Sequence, residues 1–105
     1  MNADLSELRR FSDPSLLILA SLAGGPKHGY AMVEDIAAVS GVRLGPGTLY
    51  GALARLESRK LIEPLPADNR RHPYCLTKQG AAVLKEQLTS LAHFANVGLQ
   101  RLSTV

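Results

Sequence analysis

Apolar residues along this chain fall into several helical stripes and one pair of short strand-like runs. SLLILASLA, residues 15–23, is apolar almost all round, so a helix there needs cover on more than one side. Asp13 offers it a side-chain N-cap and Pro14 an N1 residue, while Gly24-Gly25-Pro26 stops it. Tyr30, Val33, Ile36 and Ala37 trace the inner face of a second helix, closed by Ser40-Gly41. LGPGTLYGALARLESRKLI, residues 44–62, predicts a third, with Gly45 as N-cap and Pro46 at N1. At about 100° per residue, Ala52, Leu53, Leu56 and Lys60 fall within about 60° of Leu49 and mark its buried side. Upstream, Leu5, Leu8 and Phe11 are three apart, which predicts a short amphipathic helix or docked arm.

After Lys60 the period changes. Leu61 to Leu65 reads as a short strand, PADNRRHP as a polar turn with Asp68-Asn69 at its tip, and Tyr74 to Thr77 as a second strand. Tyr74 and Leu76 share one face of it, and Pro73, with no N–H, belongs at the strand start or on an edge. Thr77 caps a last helix in which Ala81, Leu84, Leu88, Leu91, Ala95, Gly98 and Leu102 alternate spacings of three and four. Running from Lys78 to Leu102, it would be about 37 Å long, unless Asn96 or Gly98 ends it earlier. A single small domain does not cover that length, so much of the stripe should face another chain.

Helix, helix, turn, helix, hairpin is the order of a winged helix–turn–helix, whose third helix enters the DNA major groove while the hairpin tip touches the backbone beside it. The outer side of the third helix, at about 140° to 200° from Leu49, carries Gly47, Gly51, Ala54 and Ser58, all small. Interior glycines weaken a helix by roughly 1 kcal/mol each, which a bare face lying close to DNA explains. Tyr50 borders this strip on one edge and Thr48, Arg55 and Arg59 on the other, where hydroxyls and guanidinium groups reach phosphates or base edges. The helix start at Gly47 and Thr48 also offers free N–H groups to a phosphate. Arg70, Arg71 and His72 at the hairpin tip fit phosphate or minor-groove contacts. His28-Gly29-Tyr30 opens the second helix, where backbone N–H groups and the Tyr30 hydroxyl meet phosphate if Tyr30 is not drawn into the core.

Charge agrees with that placement. The chain of 105 residues carries a net +3, and the excess is concentrated in residues 43–78. There Arg43, Arg55, Arg59, Lys60, Arg70, Arg71 and Lys78 stand against Glu57, Glu63 and Asp68, the balance of a polyanion-binding segment. The single cysteine, Cys75, forms no internal disulfide and fits a reducing cytoplasm. No apolar run reaches the roughly 20 residues of a membrane span, and no signal peptide is visible at the N-terminus. Cys75 and His72 share a short hairpin without the third group that orients a catalytic base, so no enzyme is expected. One Cys and the scattered His28, His72 and His93 lack metal-ligand spacing, so no metal or cofactor is expected either.

LLILASLAGGPKHGYAMVEDI, LGPGTLYGALARLESRKLIE and RRHPYCLTKQG together resemble the PadR family of bacterial transcriptional regulators, over roughly residues 14–84. The resemblance implies a cytoplasmic homodimeric repressor of mostly α, α+β architecture, a winged helix–turn–helix with a long C-terminal dimerisation helix. It is closest to the short subfamily with a single C-terminal helix. An arm at 1–12, a DNA-binding domain at 13–77 and a dimerisation helix at 78–105 follow. By resemblance, Tyr30, Thr48, Tyr50, Arg55, Arg70 and Arg71 contact double-stranded DNA. Leu84, Leu88, Leu91, Ala95 and Leu102 then meet a partner copy, as does Leu17 of the first helix. Lys60 stands where the family commonly has glycine, so the third helix must end without an easy left-handed residue. Pro73 and Cys75 replace residues that are usually basic or aromatic. Some short members bind planar drugs between tryptophans; this chain has none. A small-molecule effector acting on the spacing of the two reading heads is compatible with the design, but no residue set defines its pocket. The alternative is a winged helix used only for protein–protein contact.

Overall fold

The Asp13 carboxylate accepts the Ser15 N–H at 2.8 Å and the Leu16 N–H at 3.4 Å, opening the first helix as the Asp-Pro pair predicts. The computed structural model describes residues 13–105; the helix expected from Leu5, Leu8 and Phe11 lies outside them. The elements are α1 (Pro14–Ala23), α2 (Gly29–Ser40), α3 (Pro46–Ser58), β1 (Ile62–Pro64), β2 (Tyr74–Leu76) and α4 (Lys78–Leu102). The two strands pair antiparallel with Glu63 opposite Cys75, forming the hairpin of a winged helix–turn–helix.

α1 is the centre of the domain. It packs on α2, α3, α4 and β2, which supplies the cover its all-round apolar surface requires. Its own Ile18 is fully buried, as are Met32, Ile36, Leu53 and Ile62 from the other elements. A buried polar link ties its end to α2: the Ser21 hydroxyl donates to Asp35 Oδ2 at 2.6 Å, and the Lys27 ammonium bonds the Ser21 carbonyl. The loop between α1 and α2 also joins the base of the hairpin, because the Lys27 and Tyr74 backbones exchange hydrogen bonds of 3.2 and 2.9 Å.

Several expectations change. In α2, Met32 and Ile36 face the core and Tyr30 does not; Tyr30 is 71% exposed. The buried edge starts at Gly29, whose missing Cβ lets α2 approach Leu49 and Tyr50 of α3. Lys60 is not part of the inner face of α3. It lies past the helix and itself adopts the left-handed conformation, φ 61°. Its N–H reaches the Glu57 carbonyl and the Leu61 N–H reaches that of Leu56, so a lysine ends α3 with the hydrogen bonds usually associated with glycine. α4 is continuous over 25 residues, through Asn96 and Gly98. Leu17 and Leu84, expected at an interface with a second copy, are buried in the core of the chain itself.

The end of α3 and the start of α4 form one joint. Thr77 Oγ1 donates to the Lys60 carbonyl at 2.8 Å and accepts the Gly80 N–H at 3.0 Å, while the Thr77 N–H bonds the Leu61 carbonyl at 3.1 Å. Gly80 lies so close to that carbonyl that a Cβ would overlap its oxygen. Gly80→Ala is therefore expected to lower unfolding free energy by about 1–3 kcal/mol, the usual range for overpacking. Chemical denaturation beside the wild-type protein measures it; unchanged stability would show that the joint is loose.

Candidate nucleic-acid interface

With Leu49, Ala52, Leu53 and Leu56 buried, α3 turns its opposite side outward. Gly47, Thr48, Tyr50, Ala54, Arg55, Ser58 and Arg59 are all exposed. A Cβ at Gly47 would meet nothing within 4 Å. One at Gly51 would lie 3.6 Å from Nη1 of Arg55, ordinary contact distance. Neither glycine is required by packing inside the chain. The space over Gly47 is open, while the Arg55 guanidinium lies over Gly51.

The hairpin tip lies one residue further on than the sequence predicts. Asp68 and Arg71 exchange backbone hydrogen bonds of 3.0 and 2.8 Å, and the two residues between them have positive φ, 49° at Asn69 and 68° at Arg70. This is the geometry of a type I′ turn, which matches the twist of a tight hairpin. Asparagine tolerates it; arginine is strained there. Arg70 thus takes up the outermost point of the hairpin although a glycine would hold that backbone more easily. Arg71 and His72 follow it on the surface.

Between the tip and the start of α2 lies a cleft of about 310 Å³ that includes His28, Tyr30, Tyr50, Arg70 and Arg71 in its lining. Tyr30 and Tyr50 are 71% and 59% exposed, and their rings flank it from two helices. Nη1 of Arg71 stands 3.3 Å from Nε2 of His28. Among the described residues no carboxylate lines this cleft, and Arg55, Arg59, Arg70 and Arg71 form no salt bridge. Arg43 differs from them. It bonds Glu34 at 2.9 Å, and the guanidinium holds the Glu34 carboxyl below the ordinary carboxylate range. Its charge is already compensated, so it adds little to the basic surface despite its place in the basic segment.

His28 escaped the sequence reading as a side chain with a partner of its own. The available signal was its place just before a helix, where an acceptor side chain is favoured. On α4, Leu88, Leu91, Phe94, Leu99 and Leu102 are exposed. Phe94 and Leu99 flank the predicted stripe and widen it. Grooves lie on both sides of the helix: one is mixed, joining Leu16, Leu19, Val83 and Leu91 to Arg55 and Arg59, and the other is mainly apolar, with Leu76, Leu84, Leu88 and Ala92. Among the described residues no group of His, Cys, Asp and Glu is placed to hold a metal ion, and no helix is long and apolar enough to cross a membrane.

These elements define a winged helix–turn–helix protein with an exposed third helix and a basic wing. The chain belongs to the PadR-like family of transcriptional regulators, whose family model matches residues 18–86. A transcriptional regulator from Clostridium thermocellum superposes with a TM-score of 0.77 at 25% identity, covering 93% of this chain and 97% of the other. A PadR family transcription regulator from Clostridium difficile superposes with a TM-score of 0.76 at 28% identity, over 85% and 97% of the two chains. An uncharacterised 37.1 kDa protein of transposon TN4556 from Streptomyces fradiae is 49% identical over 86 residues, 82% of this chain. The chain spans only 25% of that relative's length. The family supports a DNA-binding regulator.

Cys75 stands on β2 opposite Glu63, its thiol 3.7 Å from the carboxylate. Burial, then the Glu63 charge and hydrogen bond, push the thiol above its ordinary pKa. The thiolate is the nucleophile, so Cys75 is expected to react with iodoacetamide at mildly alkaline pH more slowly than cysteine in an unstructured peptide. Mass-spectrometric time courses check this; equal or faster alkylation would show that the strand does not shield it.

Proposed function

We propose that the chain is a homodimeric repressor that binds a pseudo-palindromic site on double-stranded DNA. The observation that carries the DNA reading is the outward strip of α3, bare at Gly47 and Gly51 and bordered by arginines that form no salt bridge among the described residues. In this reading α3 lies in the major groove. Thr48, Tyr50, Arg55 and Arg59 meet base edges and phosphates, and Tyr30 and the wing residues Arg70, Arg71 and His72 meet the backbone. Residues 13–77 are the reading domain and 78–105 the dimerisation helix. The exposed apolar face of α4 from Leu88 to Leu102 is the surface a second copy covers, and it sets two α3 helices about one DNA turn apart. Occupancy of an operator by such a dimer blocks transcription, and a small-molecule effector that alters the spacing of the heads relieves it.

Binding to random-sequence duplex DNA tests the reading directly. Contact of several arginines per protomer with phosphate predicts a loss on the order of a thousandfold between about 50 and 200 mM salt. Gly47→Ala/Gly51→Ala is expected to raise stability by up to about 1 kcal/mol per site while weakening DNA binding, because each methyl fills the clearance. Fluorescence anisotropy and thermal unfolding measure the two effects. Salt-insensitive retention, or full affinity in the double variant, would refute this docking of α3.

Leu91→Glu/Phe94→Glu places charge on the exposed face of α4 and leaves the core untouched. Sedimentation velocity is expected to show monomers for this variant and dimers for the wild type. A variant that remains dimeric would move the interface elsewhere.

A further inference from the structure

The groove of about 300 Å³ between α1, α3 and α4 combines two kinds of surface. Leu19, Leu56 and Leu61 are its buried floor, and Leu16 and Val83 are half-buried walls. Arg55, Arg59, Gln87 and Leu91 stand exposed around them. Among the described residues its one carboxylate is Asp13, which is engaged as the N-cap of α1. Two guanidinium groups beside an apolar trough fit an amphipathic segment with acidic residues along one edge. The chain carries such a segment at the rim of the groove itself. Asp13 has ψ 118°, the extended conformation of a residue before proline, so a helix preceding it cannot run on into α1. On a projection at about 100° per residue, Leu5 and Phe11 fall within about 60° of Leu8. Asp4 and Glu7 lie on the Phe11 side, and Arg9 and Arg10 are about 100° or more away from Leu8.

We propose that residues 1–12 fold back on their own chain and occupy this groove. Leu5, Leu8 and Phe11 then cover Leu16, Val83 and Leu91, while Asp4 and Glu7 face Arg55 and Arg59. The tether is short, since Asp13 both ends the segment and lines the groove, and it holds the segment at an effective concentration of about millimolar or more. Helix α4 of a second copy matches the groove less well. Its only carboxylate, Glu86, projects away from the apolar stripe, and its exposed apolar face lies further along, from Leu88 to Leu102. Arg55 and Arg59 also border the outer strip of α3. In the DNA-binding reading, on which this consequence rests, the docked segment and a duplex compete for the same two side chains. The segment thus lowers affinity for DNA of any sequence.

Crosslinking tests the docking without DNA. In a Cys75→Ser background, Leu8→Cys/Gln87→Cys is expected to close an intramolecular disulfide under mild oxidation. The rate should be about tenfold that of Arg10→Cys/Gln87→Cys, whose cysteine starts on the far side of the segment. Gln87 is exposed, so its substitution leaves the core intact. Equal rates for the two pairs would overturn the docking, and a disulfide-linked dimer in place of the internal bond would give the groove to a second copy. Glu7→Gln is expected to raise affinity for a short random-sequence duplex about threefold at low salt, with the gain fading as salt rises. Glu86→Gln removes the same charge from the back of α4 and is the control. A gain for Glu7→Gln no larger than for Glu86→Gln would overturn the pairing with Arg55 and Arg59. A wild-type protein that binds no duplex would end the DNA-binding reading, while the disulfide rates still decide where the segment sits.

Discussion

The Leu61 carbonyl, held by the Thr77 N–H and pressed against Gly80, is the contact on which the arrangement of the molecule depends. It joins the turn after α3 to the first turn of α4, and Thr77 Oγ1 doubles the link through the Lys60 carbonyl. Four polar groups that a turn and a helix start leave over are satisfied in one place. The packing below continues it, with Leu56, Leu61 and Leu84 buried together. The end of α3 and the start of the long terminal helix are thus tied together. Whatever α4 packs against, its position is passed to α3 with little slack.

Where local chemistry chooses the structure, the sequence was readable. Asp13-Pro14, Gly45-Pro46 and Thr77 each mark a helix start through their own capping chemistry, and the change from helical to alternating period at Leu61 locates the wing. The departures have one common origin: periodicity gives a face but not its neighbours. The 3–4 spacing in α2 fits both Tyr30 and Met32 as core residues. What decides is Gly29, which admits Leu49 and Tyr50 to that side and has no side chain to signal it. The stripe on α4 is continuous, yet nothing in its spacing tells that Leu84 belongs to the core of its own chain while Leu88 does not. The tip of the wing is displaced by one residue because both Asn69 and Arg70, not asparagine alone, occupy the left-handed region.

The candidate face was legible as composition and spacing, but the pairing of its charges was not. Arg43 counts equally with Arg55 in a charge tally; in space Glu34 compensates it. The strain at Arg70 and the contact between His28 and Arg71 depend on φ angles and interatomic distances, which no one-dimensional pattern holds. They share a character with the glycines of α3. Each is a local compromise of stability.

In the proposed docking, the bareness of α3 limits how much an operator can tell this protein. A well-made side-chain-to-base pair discriminates by about 1–3 kcal/mol, and Thr48, Tyr50 and Arg55 are the main side chains at the borders of the strip. One head then distinguishes its target from only a small part of the roughly million or more competing positions in a genome. In the proposed dimer, selectivity has to accumulate by repetition: two modest half-sites, read at a separation that α4 and the Leu61 joint hold constant. Such a regulator recognises distance as much as letters. An inserted or deleted base pair between half-sites would cost it more than a single base change within one.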